Sequence, residues 1–154
     1  MGVCEEGKKM TYEEKVKFLC EYHNLEEKIK SHLDRAALYR KCADEPNSPQ
    51  YGPKAKPSNP NTEAPFIKWI QKADDEDQKA EKLKPLLIES KQKIISVITT
   101  LNDTELSNLL ILRYIDWLSW KEIQERLYLS ESTRKRKHRA AIQALEIKTK
   151  QGEK

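Results

Sequence analysis

Glycine is scarce in this chain, and so are the side chains that build metal sites and disulfides. Its 154 residues include only four Gly, three Cys and three His, and the Cys and His lie far apart without any Cys-x-x-Cys pair. This composition argues against a glycine-rich phosphate loop, a zinc site and a disulfide framework. Because no nucleophile–base arrangement occurs either, we expect no enzyme activity, no catalytic residue, no cofactor and no bound metal.

Long apolar runs are also missing from the sequence. No stretch approaches the roughly 18 apolar residues that are needed to cross a bilayer. The N-terminal segment lacks the apolar region of a secretory signal. We therefore predict a cytoplasmic protein with reduced cysteines and no membrane partner. Nothing in the composition points to a small-molecule ligand.

The excess positive charge is concentrated near the C-terminus. The formal net charge is +4. Residues 120–154 carry ten Lys or Arg and five Asp or Glu, whereas residues 1–119 carry 19 basic and 20 acidic side chains. Such an asymmetry favours a polyanionic partner, although a need for solubility would explain it as well.

Residues 11–101 are typical of a long helical arm. The stretch 11–43 has no Gly or Pro, and its apolar residues recur every three or four positions, which predicts a helix that Thr11 caps together with Glu14. A second helical pattern covers 63–101, and its interior Pro85 is expected to kink or break the helix near Leu83. We predict a coiled-coil-like helical hairpin whose helices are antiparallel.

The segment between the two helical stretches has a different composition. Six of the seven prolines fall within residues 46–65, so we predict a flexible linker over 44–62. A proline-rich ligand for another protein is the alternative. Residues 1–10 and 149–154 are predicted to be a disordered N-terminus and a tail. Whether the hairpin closes on itself or pairs with a second subunit stays open, although we expect a dimer through this arm.

Three capped helix starts follow one another in residues 102–148. Asn102, Ser119 and Ser130 each precede a helical pattern, and the first two have Glu in the third helical position. The last two helices are a short one of about eight residues and a longer one, with a tight turn between them, which is the layout of a helix-turn-helix. The fold class is therefore predicted as all-α, with a helical arm followed by a helix-turn-helix domain.

A run of six Arg, Lys or His side chains, Arg134 to Arg139, lies in the first half of the last helix. At about 100° per residue, the inward face is predicted to pack Ala141, Ile142 and Leu145 on Ile123 and Leu127 of the preceding helix. The opposite, outward face contains five polar or basic residues: Ser132, Lys135, Arg136, Arg139 and Gln143.

An outward basic face at the start of the second helix is how this motif enters the major groove of DNA. Arg136 is placed to bind a guanine edge, Glu131 and Ser132 to read neighbouring bases, and basic residues to neutralise phosphates. The helix N-terminus beyond Ser119 adds a site for a backbone phosphate. The predicted contacts to double-stranded DNA are Lys121, Ser130, Glu131, Ser132, Thr133, Lys135, Arg136 and Arg139.

The stretch LLILRYIDWLSWKEIQERLYLSESTRKRKHRAAIQAL resembles region 4 of bacterial sigma-70 factors and the similar domain of phage transcriptional regulators. In the family pattern, an LRY motif and a GLSWEEIAERL motif form one block, which is followed by spaced single residues S, T, H, A and L. The matching positions here are Leu112, Arg113, Tyr114, Leu118, Ser119, Trp120, Glu122, Ile123, Glu125, Arg126, Leu127, Ser130, Thr133, His138, Ala141 and Leu145.

The layout of two charged helices around a proline-rich linker also resembles small phage and prophage proteins of Gram-positive bacteria, which are regarded as late-gene transcription activators. This resemblance implies a DNA-binding regulator in a bacterial host cell, possible contact with RNA polymerase, and a helical arm for self-association. The sequence departs from the pattern at Arg134 and Lys137, where the family has inward aliphatic residues, and at Trp117 and Tyr128, where it often has Gly. We therefore expect the fold to be retained, but to be less stable or to depend on a partner.

Two other classes of protein fit the same pattern. A small DNA-packaging subunit of a phage terminase also combines such a motif with oligomerising helices, but usually places the DNA-binding unit first. A helical protein-interaction module that touches no nucleic acid is the third possibility. Oligomer mass and binding to duplex DNA at low salt distinguish the three.

Overall fold

The computed structural model describes residues 9–45 and 65–148, and within these ranges every regular element is a helix. The predicted all-α class is confirmed. Residues 1–8, residues 46–64, which include most of the predicted linker 44–62, and the tail 149–154 lie outside the described residues. No described helix is long and apolar enough to span a membrane. In chain order the helices are α1 (Tyr12–Asp44), α2 (Pro65–Ile98), α3 (Thr104–Tyr114), α4 (Trp120–Leu127) and α5 (Glu131–Ala144).

Three of the four predicted helix caps are confirmed. The Thr11 N–H donates to a Glu14 carboxylate oxygen at 2.8 Å, and the Glu14 N–H donates to Thr11 Oγ1 at 3.3 Å. Ser119 and Ser130 cap α4 and α5. The prediction of Asn102 as a cap was wrong by one residue, because Asp103 accepts from the first backbone N–H groups of α3 and α3 begins at residue 104. The carboxylate accepts two hydrogen bonds there and carries the charge that a helix N-terminus favours.

The second long helix differs from its prediction at its end and at its proline. It begins at Pro65, a position where the missing N–H costs no hydrogen bond. It ends at Ile98, three residues earlier than predicted, in a turn in which the Leu101 N–H donates to the Ile98 carbonyl at 3.1 Å. Of the kink or break expected near Leu83, the break does not occur, because α2 runs through Pro85. A single proline removes one helical hydrogen bond, which the rest of a 34-residue helix outweighs.

The chain forms two compact units. Unit 1 comprises residues up to Leu25 and from Leu86 onward, and unit 2 comprises Glu26–Pro85. The start of α1 and the end of α2 thus belong to the same unit as α3, α4 and α5. The predicted domain boundary at residue 102 lies inside unit 1.

Unit 1 is built on an aliphatic core to which four of its helical segments contribute. Members come from the start of α1, the end of α2, α3 and α5, and their side chains are almost completely shielded from water. Such burial supplies the main free energy of folding, roughly 25 cal/mol per Å² of apolar surface. The buried members are Leu19, Tyr22, Ile94, Ile98, Leu110, Tyr114, Ala141, Ile142 and Leu145.

Unit 2 pairs part of α1 with part of α2. His32 contacts Glu76, and Tyr39 stacks on Trp69 with ring centroids 5.8 Å apart, so the two segments run antiparallel, as predicted. The buried apolar residues are mostly small: Ile29, Ala36, Ala73 and Ala80.

Candidate nucleic-acid interface

The α4–turn–α5 segment has the short-helix, tight-turn, long-helix layout that the caps predicted. The capping box of α4 is complete, since the Ser119 side chain accepts from the Glu122 N–H and the Glu122 carboxylate accepts from the Ser119 N–H. At the other end of α4, Tyr128 adopts the left-handed conformation, with φ 53° and ψ 44°. The Leu129 N–H then donates to the Gln124 carbonyl at 2.9 Å. This closes the last turn of α4 and redirects the chain into α5.

The five residues predicted to face outward on α5 are all exposed, and we call them the outer face: Ser132, Lys135, Arg136, Arg139 and Gln143. Lys121 on α4 and Glu131 at the start of α5 are exposed as well. Seven of the eight predicted DNA contacts therefore reach solvent, and Thr133 is half-buried.

Two of the predicted DNA contacts, Ser130 and Thr133, form hydrogen bonds with each other at the start of α5. The Ser130 hydroxyl oxygen accepts from the Thr133 N–H at 3.3 Å, and the Ser130 hydroxyl donates to Thr133 Oγ1 at 2.9 Å. These bonds fix the first turn of α5. Ser130 and Thr133 are therefore residues that hold the helix start, and their hydroxyls have less freedom to bond an external group.

The cations of the outer face differ in whether they are paired. Lys135 Nζ lies 2.6 Å from a Glu131 carboxylate oxygen one turn earlier, and this hydrogen bond lowers the pKa of Glu131. Arg136 and Arg139 have no carboxylate partner within the ranges that the structure describes. Judged by the described residues, they are the cations of this face that can bind an anion without first breaking an ion pair.

A shallow groove of about 590 Å³ runs along this side of α5. Tyr12 from the first turn of α1 forms part of its wall, and the Lys15 ammonium donates to the Gln143 carbonyl at 3.3 Å near the end of α5. Basic side chains dominate its lining, which is made of Tyr12, Arg134, Lys135, Arg136, His138, Arg139, Ala140 and Gln143.

Arg134, the first residue of the basic run, points inward. It is only 9% exposed, and its guanidinium lies 4.4 Å from the centroid of the Trp120 ring. The Arg134 Nε–H donates to Gln124 Oε1 at 3.2 Å. The Arg113 guanidinium also lies over the Trp120 ring, 4.5 Å from its centroid. A cation on an aromatic face thus takes the place of the aliphatic contact that the sigma-like pattern has at this position.

The Arg113 side chain extends this stack toward α1. Its guanidinium lies 5.2 Å from the Trp117 ring, and Trp117 in turn stacks on His23 with ring centroids 3.6 Å apart and nearly parallel planes. Sequence reasoning missed the roles of Arg113 and His23. The sequence marked Arg113 as a position that matches the sigma-like pattern. Nothing in the sequence pointed to His23, which lies about 90 positions earlier in the chain.

Two further members of the basic run are also turned from the outer face. Lys137 forms an ion pair with Glu105 of α3. His138 Nε2 shares a hydrogen bond of 2.8 Å with Tyr114 Oη, and burial, followed by the charges of Arg134 and Arg113, lowers the pKa of His138 to about 4. The imidazole is therefore neutral at pH 7.

The inward face of α5 packs on other partners than those predicted. Ala141, Ile142 and Leu145 are fully buried, as expected. However, the core cluster that contains them draws its other members from α1, α2 and α3, not from Ile123 and Leu127 of α4. Ile123 is itself completely buried. The recognition candidate α5 is therefore anchored on the broad core of unit 1.

The described residues contain no group of three or more His, Cys, Asp or Glu that could hold a metal ion. This segment presents a helix whose exposed face carries two guanidinium groups without a carboxylate partner among the described residues, a Lys–Glu pair, and small hydroxyl and amide side chains. These groups bind anions and donate hydrogen bonds to acceptors such as phosphate oxygens and base edges.

Comparison with known proteins identifies a family but no described activity. Neither a curated protein nor a solved structure matches the chain significantly. A family model described as "Protein of unknown function (DUF1492)" matches residues 66–146, which is more than half of the 154-residue chain. The match takes in nearly all of α2 and the whole of α3, α4 and α5. The chain therefore belongs to the DUF1492 family.

Proposed function

We propose that this protein is a sequence-specific, double-stranded-DNA-binding transcription regulator and that α5 is its recognition helix. The single observation that carries the proposal is the pair of exposed guanidinium groups, Arg136 and Arg139, on a helix whose opposite face is fully buried. A helix that is fixed in this way presents its cations in one orientation, as reading a base sequence requires.

The chemistry of the outer face suits a major groove. The groove is about 12 Å wide and admits one α-helix, and Arg is the side chain that most often binds guanine O6 and N7 in a bidentate manner. Arg136 takes this role in our proposal. Arg139 and Lys121 bind phosphates, and Lys135 exchanges Glu131 for a phosphate when DNA arrives.

The inward half of the basic run supports the proposal in a different way. Arg134 is fixed between the Trp120 ring and Gln124, and His138 is held by Tyr114. These contacts lock the rotation of α5 about its own axis. A rotation of one residue would carry Arg136 about 100° away from its position, so these contacts determine which side chains can enter the groove.

The resemblance of residues 109–145 to sigma-70 region 4 favours a regulator among DNA-binding functions. It supports a phage or prophage late-gene activator that contacts RNA polymerase as well as DNA in the cytoplasm of a bacterial host. We assign no enzyme activity to the protein. A terminase small subunit is the second candidate, and a solution mass of a ring with about eight or more copies would favour it instead.

We also propose that the arm associates with a second copy. Four large apolar side chains of unit 2 are exposed: Leu33, Leu38, Phe66 and Ile70. Residues 26–45 and 65–85 each carry five acidic and five basic side chains, so two copies of unit 2 do not repel one another through net charge. Two linked reading helices bind a double site far more tightly than one. Sedimentation should give a dimer mass, and Leu38→Lys together with Ile70→Lys should give a monomer.

The function is tested by selecting bound fragments from bacterial and phage genomic DNA and then titrating the recovered duplex. Arg136→Ala should reduce the preference for the selected site by about 5- to 150-fold, equivalent to the roughly 1–3 kcal/mol of a bidentate base contact. Lys135→Ala should instead weaken binding to all duplexes and flatten the dependence of affinity on salt.

The matched control is Lys82→Ala, which removes the same charge from α2 and should leave site preference unchanged. Equal affinity of wild type and Arg136→Ala for selected and random duplexes would contradict sequence-specific recognition. Absence of binding to any duplex at about 50 mM salt, where electrostatic affinity is high, would instead favour a protein-interaction module.

A further inference from the structure

Two non-glycine residues of the described chain have positive φ, and both are aromatic. Trp117 has φ 54° and Tyr128 has φ 53°. The left-handed conformation brings Cβ too close to the following carbonyl oxygen in L-amino acids, so it costs free energy for every residue but glycine. An aromatic side chain at such a position therefore needs a compensating contact.

Trp117 has that contact within the molecule, and Tyr128 does not. The Trp117 ring stacks on His23 at 3.6 Å and lies 5.2 Å from the Arg113 guanidinium. The Tyr128 residue is 95% exposed, so its phenol packs on nothing in the part of the chain that the structure describes. The backbone of Tyr128 serves the turn, because its N–H donates to the Gln124 carbonyl, but glycine would perform this task without strain.

The position of Tyr128 in the chain indicates which contact offsets the cost of its left-handed backbone. The residue lies two positions before Ser130, the cap of α5, and three before Glu131, where the exposed first turn of the recognition helix begins. A helix that enters the major groove with its first turns brings the preceding turn close to the sugar–phosphate backbone. A phenol is suited to that surface because its hydroxyl donates to a phosphate oxygen while its ring covers a deoxyribose.

We propose that Tyr128 is a further DNA-contacting residue, which donates its hydroxyl to a phosphate oxygen of the duplex beside the groove that α5 occupies. The inference rests on the proposed function. It differs from the contacts above in its consequence: a neutral donor neutralises no phosphate, so Tyr128 contributes affinity without contributing to the salt dependence. It also fixes the register of α5 along the duplex rather than the choice of a base.

The test uses the full chain and a fluorescein-labelled duplex that carries the selected site, or a random duplex if no site is recovered. Tyr128→Gly should raise the midpoint of thermal unfolding and weaken duplex binding about tenfold. Tyr128→Phe should lose most of the same affinity with little change in thermal midpoint. The slope of affinity against salt should stay at the wild-type value in both variants, unlike in Lys135→Ala.

Trp117→Gly is the matched control for stability. It relieves the same strain but loses the stack on His23, so its thermal midpoint should fall while that of Tyr128→Gly rises. If wild type binds the duplex and Tyr128→Gly binds within twofold of it, the Tyr128 contact is refuted while the DNA-binding function stands. A protein partner for the phenol would give that result. If wild type binds no duplex, the proposed function fails and the Tyr128 contact fails with it.

Discussion

Unit 1 and unit 2 bury side chains of different size. In unit 1 eight Leu and Ile side chains are less than 2% exposed. Among the described residues of unit 2 the completely buried side chains are Ala36, Ala73 and Ala80, and Glu76 is buried with them, while Leu33, Leu38, Phe66 and Ile70 are exposed. Each buried Leu or Ile contributes roughly 1.5–3 kcal/mol by leaving water, and an alanine contributes much less.

The difference indicates a division of roles. A core of large aliphatic side chains fixes the orientation of the helices that surround it, which the role proposed for α5 requires. Alanines permit two helices to approach closely but specify their packing weakly. In unit 2, polar contacts also help to specify how the helices pack, because His32, Arg35 and Lys79 all contact Glu76.

The largest expected effect comes from a core substitution in unit 1. Leu110→Ala removes a completely buried side chain and should lower the free energy of unfolding by about 2–5 kcal/mol, because it leaves a cavity in a closely packed core. Urea unfolding measured by circular dichroism checks this. The control is Leu86→Ala, an exposed leucine outside the proposed dimer surface, for which we expect a change within about 0.5 kcal/mol. Equal losses at both positions would contradict the comparison.

Acid should affect the two units over different ranges of pH. The pKa of His138 falls from 6.5 to about 4 on folding, so the unfolded state binds more protons between these values and unit 1 loses stability as the pH falls from 6.5 to 4. The pKa of Glu76 falls from 4.5 to about 2, first through its bond with His32 and then through Lys79. Its contribution is complete above pH 4.5 and is lost as the pH falls toward 2.

Hydrogen exchange measured against pH separates the two ranges, since it reports each unit by its own amides. His138→Gln should remove the loss between pH 6.5 and 4 in unit 1 only. Glu76→Gln should remove the loss below pH 4.5 in unit 2 only. A single acid transition that both variants alter to the same extent would show that the two units do not respond separately.

The smallest effect concerns the stack of Arg134 of α5 on the Trp120 ring. Arg134→Met keeps a long apolar stem on Trp120 but removes the guanidinium, so we expect a loss of about 1 kcal/mol in the free energy of unfolding. It should also shift the Trp120 fluorescence. Arg126→Met, on the exposed side of α4, is the control and should be close to neutral. A loss at Arg126 as large as that at Arg134 would mean that charge, and not the ring contact, is responsible.

The helices and most of their caps could be predicted because their determinants are local. Thr11, Ser119 and Ser130 each act within three or four residues, and apolar spacing shows which face of α5 turns inward. The shift from Asn102 to Asp103 is a choice between adjacent residues that both cap well. Only the conformation of the backbone decides between them.

The partners of α5 could not be predicted in the same way. Ile142 and Leu145 lie in one cluster with Leu19 and Tyr22, more than 100 residues earlier in the chain. Spacing within a helix reveals a buried face but not what covers it. The inward position of Arg134 was expected from the sigma-like pattern, but the Trp120 ring that accommodates its charge is a feature of the folded chain.

The shared core of unit 1 has a practical consequence for dissecting the molecule. A fragment cut at residue 102 would lack Leu19, Tyr22, Ile94 and Ile98, and would expose the aliphatic surface that they cover on Leu110, Ile142 and Leu145. We expect such a fragment to aggregate or to fold poorly, even though its sequence predicts three capped helices. The smallest fragment that preserves this core must contain the start of α1 and the end of α2 together with α3, α4 and α5, so the N-terminal helix cannot be removed as a separate arm.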